Sequence, residues 1–234
     1  MAQSRSVLVA ALVLGMGLAL AAGSACADPL PVVVELFTSQ GCSSCPPADR
    51  LLGELAQREG VVALGFHVDY WDRLGWKDPL SRRASTDRQR DYARRFTRGT
   101  VYTPQLVVDG TSEMIGSDRE AVLAALRAAR PEAAAPVSFA ADRRSVAIGK
   151  GAGKGEVLLV RFARHRTTHV KAGENKGRDA DDYNGVDSLA RLGAWDGAAR
   201  RFDLVPPGAG EGVAVLVQAA DGRMLGAALV LAAE

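Results

Sequence analysis

The sequence predicts an α/β domain over residues 28–130 and, across a linker at 131–136, a small all-β, sandwich-like domain over 137–234. Three observations predict this. In the first half, apolar β-branched runs alternate with stretches of helical period, as in a sheet flanked by helices. After Arg130-Pro131-Glu132-Ala133-Ala134-Ala135-Pro136 the period changes to short strands with turn signals. Finally, Cys42-Ser43-Ser44-Cys45 falls where the first apolar run gives way to the first helical stretch.

At the N-terminus, Arg5 precedes an apolar stretch from Val7 to Ala22, and small residues lead to Ala25-Cys26-Ala27. This is the layout of a secretory signal, with cleavage expected after Ala27. The apolar core is short for a lasting span. An uncleaved anchor and a lipid-bearing Cys26 are the alternatives, although Gly23 stands where lipidation signals usually carry leucine. Each route exports the domain, so the expected location is periplasmic or secreted, with no stable membrane span after processing.

Val32 to Phe37, interrupted only by Glu35, reads as a buried central strand. The loop Thr38-Ser39-Gln40-Gly41 follows. Leu51, Leu52, Leu55 and Ala56 then recur at helical spacing, with Pro46 or Pro47 in the first turn, which places Cys42 at a helix N-terminus. Val61 to Val68 is a second strand. The loop from Asp69 to Lys77 carries Tyr70, Trp71 and Trp76, and Asp78-Pro79 reads as the start of another helix, with Leu80, Ala84, Tyr92 and Phe96 on its inner side. Thr103-Pro104 leads into the strand Gln105–Val108. Asp109-Gly110 turns it back near Ser112 to Ile115, and a last helix runs from about Ser117 to Ala129.

Beyond the linker, strands are expected at 137–140, 145–148, 157–163, 213–219 and 225–231, with a hairpin signal at Asp221-Gly222 and a long insertion around 170–194. With 47% apolar residues the chain can bury ordinary cores. A net charge of +2 gives no electrostatic case for nucleic acid.

Removing residues 1–27 takes one of the three cysteines and leaves the neighbours Cys42 and Cys45. In an oxidising compartment they are expected to be joined. A bridge closing so small a loop restrains the unfolded chain little, so its value lies in chemistry rather than stability. Zinc sites usually need two further ligands, and c-type haem attachment needs a histidine where Pro46 stands. Between a strand and a helix, helix-end amides and the dipole stabilise a thiolate on the first sulfur. Cys42 is therefore the expected nucleophile, facing solvent. Cys45, one turn further in, is the resolving cysteine.

Here the chain resembles the thioredoxin superfamily, over about Val32 to Ala129. Within it, Glu35 to Asp49, His67-Val68-Asp69-Tyr70-Trp71, Tyr102-Thr103-Pro104-Gln105 and Gly173-Glu174-Asn175-Lys176-Gly177-Arg178 are similar to an exported bacterial family catalogued as domain of unknown function 1223. The superfamily resemblance implies a cis bond before Pro104, facing the cysteines, with the Thr103 backbone free to pair with substrate. It implies a thiol–disulfide oxidoreductase that needs no cofactor or metal and whose partners are protein or small-molecule thiols and disulfides. Gly41 and Ser43-Ser44 depart from thioredoxin itself and leave the redox direction open.

Two rival readings use the same residues. One is a copper or other metal delivery module holding the ion on Cys42, Cys45 and His67, with Asp69 as a further ligand, since soft thiolates favour Cu(I). The other is a binding protein whose disulfide is structural. Glu35 is either a proton relay to Cys45 or a paired structural carboxylate. Tyr70, Trp71 and Trp76 either line a substrate groove or anchor their loop. His165 and His169 share a strand face without a completing ligand, so surface placement is favoured. Arg82, Arg83, Arg88, Arg90, Arg94, Arg95 and Arg98 read as a solvated helix face rather than an anion site, and Lys176 and Arg178 as a weak anion-binding loop.

Overall fold

The structure is a computed structural model and describes residues 31–96, 99–129 and 134–232. The signal segment expected at 1–27 and the first part of the expected linker at 131–136 lie outside these. Among the described residues no helix is long and apolar enough to cross a membrane.

The first half contains β1 (Val32–Thr38), α1 (Pro46–Leu55), β2 (Val61–His67), α2 (Arg83–Ala93), β3 (Gln105–Val108), β4 (Ser112–Ile115) and α3 (Arg119–Ala128). The second contains β5 (Val137–Phe139), β6 (Ser145–Ile148), β7 (Gly155–His169), β8 (Asp179–Trp195), β9 (Arg200–Asp203), β10 (Glu211–Gln218) and β11 (Met224–Leu231). β1 and β2 pair in parallel, Val34 opposite Ala63, as their helical crossover requires. β3 runs antiparallel to β1, and β4 antiparallel to β3.

Strands beyond the linker do not form a separate sandwich. Four of them extend the first-half sheet into one eight-stranded mixed sheet of order β11-β10-β7-β8-β2-β1-β3-β4, while β5, β6 and β9 form a small antiparallel sheet. The reason is visible in β10, where every residue after Glu211 is buried. An unbroken apolar strand must be covered on both faces, and it therefore sits inside the sheet, between β11 and β7.

Alternation along the strands sends side chains to separate cores. Val33 and Phe37 of β1, Val62, Leu64 and Phe66 of β2, and Ala214 and Leu216 of β10 face a core shared by the two halves with Tyr92 of α2. Val34 and Leu36 face the opposite way, against Leu51, Leu52 and Leu55 of α1 and Val122 of α3. Val215 and Val217 pack with Val146, Ile148 and Trp195 beneath the small sheet.

The expected insertion at 170–194 is instead the turn and second arm of a long hairpin, β7–β8. Its polar, glycine-bearing sequence hid a strand, because half of β8 faces solvent. The join to the first half is narrow: β8 meets β2 in parallel at Gly65 and Gly185, and Asn184 donates from Nδ2 to the Ala63 carbonyl at 2.8 Å. A Cβ at Gly65 would stand 3.1 Å from the Tyr183 carbonyl oxygen, so any larger residue would crowd the two backbones.

α2 begins at Arg83, later than Asp78-Pro79 suggested. Asp78 instead starts a turn: its Oδ1 accepts from the Leu80 amide at 2.8 Å, and its Oδ2 is committed to the site described next.

Candidate functional site

Cys42 and Cys45 form a disulfide at the junction of β1 and α1. The helix starts at Pro46 with Cys45 as its N-cap, so the cap position belongs to the second cysteine and Cys42 lies a turn earlier. The Cys45 carbonyl accepts from the amides of Ala48 at 2.8 Å and Asp49 at 3.1 Å. Both cysteines are fully buried, in contrast to the solvent-facing Cys42 expected from sequence, although Ser43 and Ser44 between them are exposed. Ser44 Oγ stands 3.3 Å from Cys42 Sγ and 3.5 Å from the Thr103 carbonyl. The Thr103–Pro104 bond is cis, and Trp71 Nε1 donates to Thr103 Oγ1 at 2.8 Å.

The second half of the chain also reaches this loop. The β7–β8 turn lays Glu174 and Asn175 on the cysteine loop. Asn175 Nδ2 donates to the carbonyls of Gln40 and Cys42, each at 2.9 Å, and Glu174 Oε2 accepts from the Ser43 amide at 3.1 Å. Bonding to Ser43 holds the Glu174 carboxyl below its ordinary range. Arg178 Nη1 donates to Asn175 Oδ1 at 3.2 Å, so this arginine orients a side chain rather than awaiting an anion.

Beneath the loop lies a buried cluster rich in acid. His67 Nδ1 pairs with Asp78 Oδ2 at 2.7 Å and Nε2 faces Asp182 Oδ1 at 3.5 Å. Gln40 ties this cluster to the cysteines: its amide donates to Asp78 at 2.9 Å, its Nε2 to Asp182 at 2.6 Å, and its Oε1 accepts from Trp76 Nε1 at 3.1 Å. Burial pulls the His67 pKa down, but Asp78 and then Asp182 outweigh it and carry it up to about 9. Burial also works against ionised Asp78, yet His67 and the amides of Gln40 and Leu80 hold its pKa low.

Asp49, one helical turn beyond Cys45 on α1, accepts from Thr38 Oγ1 at 2.7 Å. Burial raises it from 3.8 to about 7 despite that bond. It borders a cavity of about 440 Å³ lined also by Ser39, Gln40, Pro46, Asn175 and Arg178.

Several sequence-derived candidates lie elsewhere. Glu35 is the paired structural carboxylate: it binds Arg88 Nε at 2.5 Å and Nη2 at 3.0 Å and accepts from the Tyr92 hydroxyl. Arg88 is therefore buried, unlike the solvated face expected of it. Its helical neighbours Arg83, Arg90 and Arg94 do pair with Asp87 and Asp91 at the surface. Arg98 lies outside the described residues. Both His67 nitrogens face carboxylates, and Asp69 is bonded to Thr86, so neither is free to join the cysteines around a metal. Among the described residues no group of three or more histidine, cysteine or acidic side chains is placed to hold a metal ion. His165 and His169 are exposed as expected, but each does have a carboxylate across the hairpin, Asp181 at 3.2 Å and Asp179 at 2.7 Å. Sequence reasoning missed Gln40, Asp49, Asp78, Glu174, Asn175 and Asp182. Gln40, Asp49, Glu174 and Asn175 lie within the family-like stretches 35–49 and 173–178, but only Asp49 carried a positional signal toward the cysteines, its four-residue spacing from Cys45 on a helix.

Fold and site together define a mixed α/β protein with a disulfide at a strand-to-helix junction, sealed by a hairpin from its own second half. The chain belongs to the family described as protein of unknown function DUF1223, whose match spans residues 33–218. It is similar to a crystal structure of an Agrobacterium tumefaciens protein, with 36% identity, a TM-score of 0.75, and coverage of 88% of this chain and 96% of that one. HBP35 of Porphyromonas gingivalis shares the fold alone, at 13% identity and a TM-score of 0.55 over 86% of this chain and 75% of that one. No curated protein matches the chain.

Proposed function

We propose that the protein is an exported thiol–disulfide oxidoreductase, thioredoxin-like over residues 32–129, acting on protein or small-molecule thiols and disulfides in the periplasm or outside the cell. The observation that carries this reading is the Cys42–Cys45 disulfide at the β1–α1 junction, next to Thr103 and Pro104. The Arg5 and 7–22 pattern supports export.

In the reduced protein, the Cys42 thiolate attacks one sulfur of a partner disulfide. A mixed disulfide forms and the partner's other sulfur leaves as a thiolate. The Cys45 thiolate then attacks Cys42 Sγ, the intramolecular bond re-forms, and the first partner sulfur departs, so two electrons pass to the partner. The same steps reversed oxidise a partner dithiol. Ser44 Oγ is within reach to donate to the Cys42 sulfur when it carries charge. Asp49, on the helical face of Cys45 and raised to about 7, is suited to take the Cys45 proton before the second step.

A second reading, a structural bridge that pins the loop, is favoured by the burial of both sulfurs. Exchange of the reduced protein with a small aromatic disulfide separates the two. Wild type should transfer electrons and return to the intramolecular disulfide. Cys45→Ala should stall as a mixed disulfide on Cys42, and Cys42→Ala should be inert. Absence of the stalled species, with the variant folded, would leave the structural reading.

A further inference from the structure

We propose that Gly173–Gly177 is a strap that holds the Cys42–Cys45 bridge closed, and that thiol exchange begins with its release. This rests on the oxidoreductase reading and adds to it a gate built from the second half of the chain.

The strap is a closed unit. At its base Val170 N donates to the Arg178 carbonyl at 2.9 Å and the Val170 carbonyl accepts from Gly177 N at 2.8 Å, while Lys176 N and Arg178 N bond back within the turn. Its hydrogen bonds to the cysteine loop come from two side chains, Glu174 and Asn175. Gly173 and Gly177 bracket them with φ of +74° and +81°, conformations that glycine adopts without steric cost. Its base can therefore stay on the β7–β8 hairpin while two side chains let go, and only a few bonds need to break.

The contacts also respond to the state of the sulfurs. Glu174 is an anion on the Ser43 amide, the residue next to Cys42. With the disulfide intact the two are compatible. Attack of an incoming thiolate on Cys42 expels Cys45 as a thiolate, and a second thiol then removes the incoming sulfur as a disulfide and frees Cys42 as a thiolate. Like charges then oppose each other across one residue, and the Ser43 amide has a second anion to serve. The closed strap therefore suits the oxidised form, and reduction weakens it. Asn175 is the positioning residue of the pair, because its amide fixes the Gln40 and Cys42 carbonyls while Arg178 fixes the amide.

The test uses the oxidised chain and dithiothreitol as the probe, following the rate of bridge reduction. Asn175→Ala should raise that rate about tenfold, the factor that about 1.4 kcal/mol represents, and Glu174→Gln should raise it by less. Amide hydrogen exchange at Ser43 and at Val34 in β1 is measured alongside. Faster exchange at Ser43 with Val34 unchanged supports strap release. Unchanged reduction rates in both variants, or acceleration at Val34 in parallel with Ser43, would overturn the gate, the latter by showing that the bridge opens through unfolding. The oxidoreductase reading fails differently: Asn175→Ala would then admit dithiothreitol, yet the reduced protein would not pass electrons to a disulfide.

Discussion

Glu35 meets an equal and opposite charge in Arg88, whereas the carboxylates gathered around His67 outnumber their single cation. Both clusters are buried, and both join the two halves of the chain. Gln218 of β10 completes the first by accepting from Arg88 at 3.2 Å and donating to the Tyr92 hydroxyl at 2.9 Å, and Asp182 of β8 completes the second. The first is charge-matched, with each side chain spoken for. The second carries surplus acid, whose carboxylates lift His67 to about 9 against its burial, while burial raises Asp49 to about 7. The matched cluster behaves as a fastener. The mismatched one lies under the disulfide and is bonded to its loop through Gln40, which makes it responsive to pH.

The sharpest way to break this contrast is to remove the one cation of the matched cluster. Arg88→Met should leave Glu35 buried without its counter-charge, only the Tyr92 hydroxyl remaining, and destabilise the protein by about 3–5 kcal/mol, read from the denaturant midpoint. The double variant Glu35→Leu with Arg88→Met should regain most of that loss. A double variant no better than the single would show that Arg88 serves packing instead.

The mismatched cluster should reveal itself through pH. His67 has a folded pKa above its ordinary 6.5, so its stabilising effect is full below about 6.5 and disappears as pH climbs through about 9. Asp49 has the same sign, because an acid whose pKa rises on folding binds its proton more tightly in the native state: its contribution is full below 3.8 and gone above about 7. Stability measured from pH 5 to 10 should therefore fall on the alkaline side by on the order of 5 kcal/mol. In His67→Gln the fall above pH 8 should vanish, at the cost of a lower overall stability. A flat wild-type profile would mean that the two clusters do not differ.

A smaller effect should appear in kinetics. Asp49→Asn should slow resolution of a Cys42 mixed disulfide about tenfold at pH 7 and remove the inflection near pH 7 from the pH–rate profile, with thermal stability preserved or raised at pH 8. An unchanged inflection would assign it to another group.

Much of the first half was legible because its signals are local. Phe37 to Cys42 reads as strand then loop, Leu51, Leu52 and Leu55 read as one helix face, and the closeness of Cys42 and Cys45 in the chain marks them as a disulfide pair. The second half was read less well for a physical reason. β8 has one solvated face and carries Asn184 with φ of +46° in mid-strand, so its period and composition resemble a loop. Glu35 shows the same limit at a single residue: an acid in an apolar strand is conspicuous, but Arg88, 53 positions away, decides whether it titrates or pairs.

By itself, then, the sequence determined the order of the strands and helices of residues 32–129 and the place of each except the start of α2, that Cys42 and Cys45 sit between a strand and a helix, and that His165 and His169 belong to the surface. Each of these follows from neighbours within a turn or two, where period, proline position and spacing act directly. Tertiary structure alone decided that β10 and β7 continue the first sheet, that Asp78 and Asp182 enclose His67, and that Asn175 binds the Cys42 carbonyl from 133 positions away. Burial and partner charge set those outcomes, and both depend on what the fold brings alongside a residue rather than on what precedes or follows it in the chain.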